Sequence, residues 1–117
     1  MRRKRVLYAE DDYLNGKLLE ILLEQTGIEC VVAGDGSEAV RLFENGAYDA
    51  VIIDAYLPGL NGEAVARSIR RLDEAVLLIG VTSEAGAAHC MEQAGFDRVF
   101  MKPFRGRVCL DYLLRHL

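Results

Sequence analysis

Short β-rich apolar runs alternate with longer stretches of helical period along the whole chain, and this alternation restricts the fold more than any other feature. Arg5-Val6-Leu7-Tyr8-Ala9 reads as a strand. Residues 14–25 read as a helix, with Leu14, Leu18, Ile21 and Leu22 on one face and Gly27 just past its end. Glu29-Cys30-Val31-Val32-Ala33 is a second strand. Ser37 is placed to cap a helix carrying Ala39, Val40, Leu42 and Phe43, closed by Asn45-Gly46. Ala50-Val51-Ile52-Ile53 is a continuous apolar run, as a strand buried on both faces requires. A turn, Leu57-Pro58-Gly59-Leu60-Asn61-Gly62, leads into a helix carrying Val65, Ile69 and Leu72. Val76 to Val81 is another buried strand, residues 84–94 an Ala-rich helix stopping at Gly95, and Val99-Phe100-Met101 a fifth strand. Leu110, Leu113, Leu114 and Leu117 mark a last amphipathic helix. Five strands alternating with five helices predict an α/β fold, a parallel sheet covered on both faces and joined by right-handed crossovers. Such sheets hold their ligands beyond the carboxyl ends of the strands, at the topological switch point.

The 117 residues make one domain of ordinary size, residues 1–117, and 51% hydrophobic residues supply its core. A second domain has no room within this length, so any output module is expected elsewhere. The net charge of −4 makes a poor nonspecific ligand for nucleic acid, and no direct nucleic-acid partner is expected. Met1-Arg2-Arg3-Lys4-Arg5 is a basic cluster that serves either as a solvated lead-in or as a partner contact. No apolar run approaches the roughly 20 residues that span a bilayer. The basic start is followed by a short apolar run and then by acids, unlike a signal peptide. Cys30, Cys90 and Cys109 are odd in number and scattered, which suits buried or half-buried thiols in a reducing compartment; the cytoplasm is the expected location.

The strand ends carry the chemistry. The first strand runs into Glu10-Asp11-Asp12, the third into Asp54, the fourth into Thr82-Ser83 and the fifth into Lys102-Pro103. Each residue alone reads as a turn, a cap or a solvated charge. Together they bring acids, a hydroxyl and an amine to one rim. Carboxylates about 4 Å apart repel by roughly 4 kcal/mol at an effective dielectric of about 20, so the cluster needs compensation. A hard divalent cation supplies it, Mg²⁺ preferring carboxylates, waters and phosphate oxygens. Lys102 supplies part of it without metal, and a Lys–Asp pair that only closes the sheet end stays open as a reading. The set also suits phosphoryl transfer. Asp54 can act as a carboxylate nucleophile without a general base. The transition state is loose, so positioning and charge neutralisation dominate, with Lys102, the Thr82 hydroxyl and Mg²⁺ facing the phosphoryl oxygens.

Glu10-Asp11, Asp54, Pro58 and Gly62, Thr82-Ser83 and Lys102-Pro103-Phe104, in this order, resemble the receiver domain of bacterial response regulators and hybrid histidine kinases. The likeness runs from Val6 to Leu117. It implies a flavodoxin-like doubly wound (βα)5 sandwich with strand order 2-1-3-4-5. It implies that Asp54 is the phosphoacceptor, taking its phosphoryl group from a histidine kinase or a histidine phosphotransfer protein and relaying the signal. Asp11 and Asp54 would bind Mg²⁺ (Mn²⁺ being an alternative) directly, Glu10 through a metal-bound water, and Tyr56 through its backbone carbonyl. Thr82 and Lys102 would contact the phosphoryl group. The Lys102-Pro103 bond would be cis, Ser83 would leave the phosphate accessible, and weak homodimerisation is a further expectation. Such a chain catalyses its own aspartyl phosphorylation and dephosphorylation rather than conventional turnover.

Two departures stand out. Val99 occupies the position, three before the lysine, where the family often has a switch aromatic, so weaker or different coupling is expected at the face of the fourth helix, fifth strand and fifth helix; Phe100 lies next to it on the opposite face of the strand. Tyr56 and Glu84 flank the acceptor and have opposed expected effects, one shielding the acyl phosphate and the other orienting water. Glu10-Asp11-Asp12-Tyr13-Leu14-Asn15 is similar to a stretch of hybrid-kinase receivers and leans toward a phosphorelay. Leu14 and Leu18 could join a docking patch for the donor, although Leu18 is expected in the core. Rival readings fit less well. A haloacid-dehalogenase-type phosphatase wants an acid where Tyr56 stands, a flavodoxin wants a phosphate loop where Glu10-Asp11-Asp12 stands, and there is no G-x-x-x-x-G-K-[ST] motif. A non-phosphorylated pseudo-receiver acting as an interaction module is the remaining alternative.

Overall fold

The computed structural model describes residues 3–102 and 106–117. The expected bond between Lys102 and Pro103, with Phe104, lies outside the described residues. The elements follow in strict alternation: β1 (Arg5–Ala9), α1 (Tyr13–Gln25), β2 (Glu29–Ala33), α2 (Gly36–Glu44), β3 (Ala50–Asp54), α3 (Gly62–Leu72), β4 (Leu77–Thr82), α4 (Ala85–Gln93), β5 (Arg98–Met101) and α5 (Gly106–His116). The strands form one parallel sheet in the order β2-β1-β3-β4-β5, as expected.

Alternation along the strands divides the core in two. On one face Leu7, Ala9, Val51, Ile53 and Leu78 pack with Ala39 and Phe43 of α2, Val65, Ala66 and Ile69 of α3 and Met91 of α4. On the other, Val6, Tyr8, Ile52, Ile79, Val81 and Phe100 pack with Leu19 and Leu23 of α1 and Cys109, Leu110 and Leu113 of α5. The central strand β3 is buried throughout, which accounts for its unbroken apolar run.

Several local expectations are corrected. The core face of α1 is Gly16, Leu19 and Leu23, whereas Leu14, Leu18 and Ile21 are exposed, Leu18 at 66%. Leu72 of α3 and Leu114 of α5 are exposed as well. The cap of α2 is Asp35, whose side chain accepts from the Glu38 N–H, and Ser37 lies inside the first turn. β3 ends in Asp54 and β4 in Thr82, as expected, but β4 begins at Leu77, one residue later than expected. All three cysteines are free; Cys30 and Cys109 are buried, but Cys90 is exposed on α4. Burial pushes both buried thiols up to about 12. No helix among the described residues is long and apolar enough to cross a membrane.

Candidate functional site

Strand register assembles the rim. Ala9 lies opposite Ile53, Asp54 opposite Val81, and Thr82 opposite Met101. One further residue along β1 therefore brings Glu10 beside Asp54, and one further along β5 brings Lys102 to the same end of the sheet, level with Ser83. The Lys102 N–H extends the pairing to the Thr82 carbonyl at 2.7 Å, and the Ala55 N–H donates to the Val81 carbonyl at 2.9 Å. Gly62 lets α3 start directly against this rim: a Cβ there would meet the Asp54 carbonyl oxygen at 2.7 Å. Its N–H donates to the Ala55 carbonyl at 3.0 Å, and Asn61 caps the helix through the Ala64 N–H at 2.9 Å.

At the centre, the Lys102 ammonium bridges two buried carboxylates. It donates to Asp54 Oδ2 in a short ion pair and to Glu10 Oε2 at 3.3 Å. The other oxygen of Asp54 accepts from the Tyr56 N–H at 3.0 Å. Glu10 is held at both oxygens, Oε1 by the Asp12 N–H at 3.2 Å and Oε2 by the Tyr8 hydroxyl at 3.1 Å. Thr82 is buried, and its hydroxyl oxygen accepts from the Glu84 N–H at 3.2 Å. Above the rim the Tyr56 hydroxyl donates to Glu84 Oε2 at 2.8 Å, both residues being exposed. Asp12 is spent as the N-cap of α1, accepting from the Asn15 N–H at 3.1 Å.

The electrostatics are those of a site short of positive charge. Burial, and then the charge of Asp54, push the Glu10 carboxyl above its ordinary range against the lowering effect of the Asp12 N–H. Burial works to lower the Lys102 ammonium, but the hydrogen bond and charge of Asp54, aided by Glu10, carry it upward overall. Burial, with Glu10 beside it, likewise holds the Tyr8 hydroxyl in its neutral form. Among the described residues, Glu10 and Asp54 against Lys102 leave one negative charge in excess, and Asp11, next in sequence to Glu10, is exposed.

Glu10, Asp54, Thr82 and Lys102 are thus brought together, as the sequence led one to expect. Asp11 is exposed, and among the described residues no three His, Cys, Asp or Glu side chains form a ready ligating group; the Lys102 ammonium sits between Asp54 and Glu10. The sequence reading missed Tyr8 as a member of the site. The signal was present: Tyr8 lies two residues before Glu10 in an extended run, so their side chains leave the same face. Beside the rim, a groove of about 720 Å³ runs along α1, lined by Leu18, Leu19, Ile21, Leu22 and Ser83 and reaching Lys102.

Comparison with known proteins agrees with this fold. The family model for the response regulator receiver domain matches residues 6–113. The DNA-binding response regulator MtrA of Mycolicibacterium smegmatis is 33% identical over 105 residues, covering 88% of this chain and 46% of MtrA. The sensor histidine kinase RcsC of Salmonella typhimurium is 32% identical over 115 residues, covering 96% of this chain and 12% of RcsC. The chain therefore spans about half the length of the first relative and a small part of the second. Among solved structures, the receiver domain of the sensor histidine kinase PA1611 from Pseudomonas aeruginosa, with a magnesium ion coordinated in its active-site cleft, superimposes with a TM-score of 0.89 at 30% identity, covering 98% of each chain. By sequence match, strand order and superposition alike, this chain belongs to the response regulator receiver domain family.

Proposed function

We propose that the chain accepts a phosphoryl group on Asp54 from a phosphohistidine of a histidine kinase or phosphotransfer protein, in a Mg²⁺-dependent reaction, and so relays a two-component signal. The observation that carries the reading is the meeting of Asp54, Glu10 and Lys102 at one rim with net negative charge. The Asp54 carboxylate forms the new O–P bond as the P–N bond of the donor breaks, its electron pair returning to the imidazole. An imidazole protonated on its other nitrogen leaves neutral, so no protein base is required. Lys102, already on Asp54, contacts the incoming phosphoryl oxygens, and Thr82 turns its hydroxyl toward them. The Tyr56 N–H holds the second Asp54 oxygen and so fixes the direction of the attacking one.

The residues fit a hard divalent cation. The donors are all oxygen, the charge is unbalanced, and Mg²⁺ keeps several waters while using only one or two carboxylates. Asp54 and Asp11 would hold it directly, with the Tyr56 carbonyl and, through water, Glu10; Mn²⁺ suits the same set. When bound, the cation supplies neutralisation of the phosphoryl oxygens. The donor is expected to dock on α1, whose exposed Tyr13, Leu14 and Leu18 border the rim and whose groove leads to Lys102. The likeness to a segment of a sensor histidine kinase supports a phosphorelay context, and that to a DNA-binding regulator an output module.

The test is intact mass after incubation with Mg²⁺ and a small-molecule phosphodonor. One phosphoryl group is expected, labile in alkali and lost in Asp54→Asn. No gain, or the same gain in Asp54→Asn, overturns the assignment; no gain with retained binding to a kinase marks an interaction module instead.

A further inference from the structure

Tyr8 has no part in the transfer described above, yet it is buried and its hydroxyl reaches the site at Glu10. Its ring is 2% exposed and packs in the cluster that includes Leu19, Ile52 and Phe100. Only its hydroxyl leaves that apolar setting, and it donates to Glu10 Oε2. The opposite oxygen of the same carboxylate is held by the Asp12 N–H. Glu10 is therefore clamped between a ring anchored in the core and a backbone amide at the start of α1. Lys102 also touches Oε2, but its ammonium ends a flexible stem and is shared with Asp54, so it cannot fix the carboxylate plane. The other buried residues of β1 are Val6, Leu7 and Ala9, so filling the core does not require a phenol.

From these contacts we propose that Tyr8 is a positioning residue that orients the Glu10 carboxylate for a divalent cation, acting through Glu10 and not touching the cation. The inference rests on the preceding reading, which places Glu10 on the cation side, and adds how that carboxylate is kept in register. Hydrogen-bond partners of metal-side carboxylates commonly change affinity by about 10- to 100-fold when removed.

The experiment is a Mg²⁺ titration of the full metal-free chain, followed by amide NMR shifts without donor, for the wild type, Tyr8→Phe, Tyr8→Leu, Glu10→Gln and the Tyr8→Phe/Glu10→Gln pair. Tyr8→Phe and Tyr8→Leu are each expected to weaken binding about tenfold. Adding Tyr8→Phe to Glu10→Gln is expected to weaken it no further, the signature of two residues acting as one unit. With a small phosphodonor, Tyr8→Phe should raise the Mg²⁺ concentration giving half-maximal rate by the same factor and leave the rate at saturating Mg²⁺ unchanged; lost packing alone would not divide the two in this way. Wild-type affinity in Tyr8→Phe, or a full additional loss in the double variant, overturns the positioning role while leaving the cation reading intact. A wild-type chain that binds no Mg²⁺ overturns both.

Discussion

Glu10 serves the site at the expense of the fold. It is 3% exposed beside a second carboxylate, and burial with the charge of Asp54 raises its pKa. A carboxyl whose pKa is raised on folding binds its proton more tightly in the native state than in the unfolded chain. Stability is thus lost as pH rises from the unfolded value of 4.5 through the folded one, and the whole penalty stands at neutral pH. Glu10→Gln is therefore predicted to raise the thermal midpoint of the metal-free chain by a few degrees at pH 7, a change of order 1 kcal/mol for a domain of this size. The gain should shrink as the melt is repeated toward pH 4, where the wild-type carboxyl is protonated as well. An unchanged midpoint at pH 7, or a gain independent of pH, would show that Lys102 and the Asp12 N–H fully offset the charge. Lys102 titrates in the opposite sense: its raised pKa stabilises the fold at neutral pH, and that contribution disappears as pH climbs past its folded value. The site residues themselves were legible in sequence because they are polar residues at strand ends, where the core does not ask for them. Tyr8 was not, because an aromatic in a strand satisfies every packing expectation before its hydroxyl is considered.

Helix α1 shows where legibility ended at the scale of an element. It carries Leu14, Leu18, Leu19, Ile21, Leu22 and Leu23, apolar nearly all round, so a 3.6-residue period admits more than one inward face. The structure selects the face with Gly16, above which Val32 of β2 approaches so closely that a Cβ would meet it at 3.0 Å. A small residue that lets the helix settle on the sheet decided the rotation, and a count of leucines could not reveal it. Strands β1, β3 and β4 posed no such ambiguity, since runs buried on both faces need no phase. The cap of α2 failed for a related reason: Asp35 and Ser37 are both good caps, and only the extended backbone at Asp35, φ −152° and ψ 171°, decides between them. The corrected face yields a paired prediction. Leu19→Ala should destabilise the fold by about 2–5 kcal/mol in denaturant titration, as a buried leucine does. Leu18→Asp should change stability by no more than about 0.5 kcal/mol. The same Leu18→Asp should slow phosphotransfer from a protein histidine donor by about tenfold, the scale of one interface anchor, while leaving the rate from a small phosphodonor unchanged. An unchanged rate from the protein donor would remove α1 from the docking surface.

Across the molecule, the two cores meet the site through different strands, and this bears on how an event at Asp54 reaches the far side. Val99 is half-buried against the cluster that α2, α3 and α4 share, as are Ala87 and Ala94. Phe100 points the other way into the cluster of α1 and α5, edge-on to Tyr112 with ring centroids 5.9 Å apart, and Arg98 lies over both rings, 5.0 and 5.6 Å from their centroids. The aromatic content of β5 is therefore committed to the α5 side, in ring and guanidinium contacts, and the face that carries Val99 has no ring. On the proposed function, a Thr82 hydroxyl turned toward a phosphoryl group would release the Glu84 N–H at the start of α4. A ring at position 99 could swing into the space that this movement opens; the branched Val99 side chain has one stiff torsion and no hydroxyl to find a new partner. The effect should consequently travel along the loop through Glu84 and its partner Tyr56 rather than across β5. Addition of beryllofluoride and Mg²⁺ to isotope-labelled protein is predicted to shift the amides of residues 54–56 and 82–86 strongly. The Val99 methyls and the amides of residues 98–101 should move little. Large shifts at Val99 would mean that the β4–β5 pairing itself rearranges, and Val99→Tyr should then change nothing. If the present assignment holds, Val99→Tyr instead restores a response on β5, because it supplies the ring that this strand lacks on its α4 side.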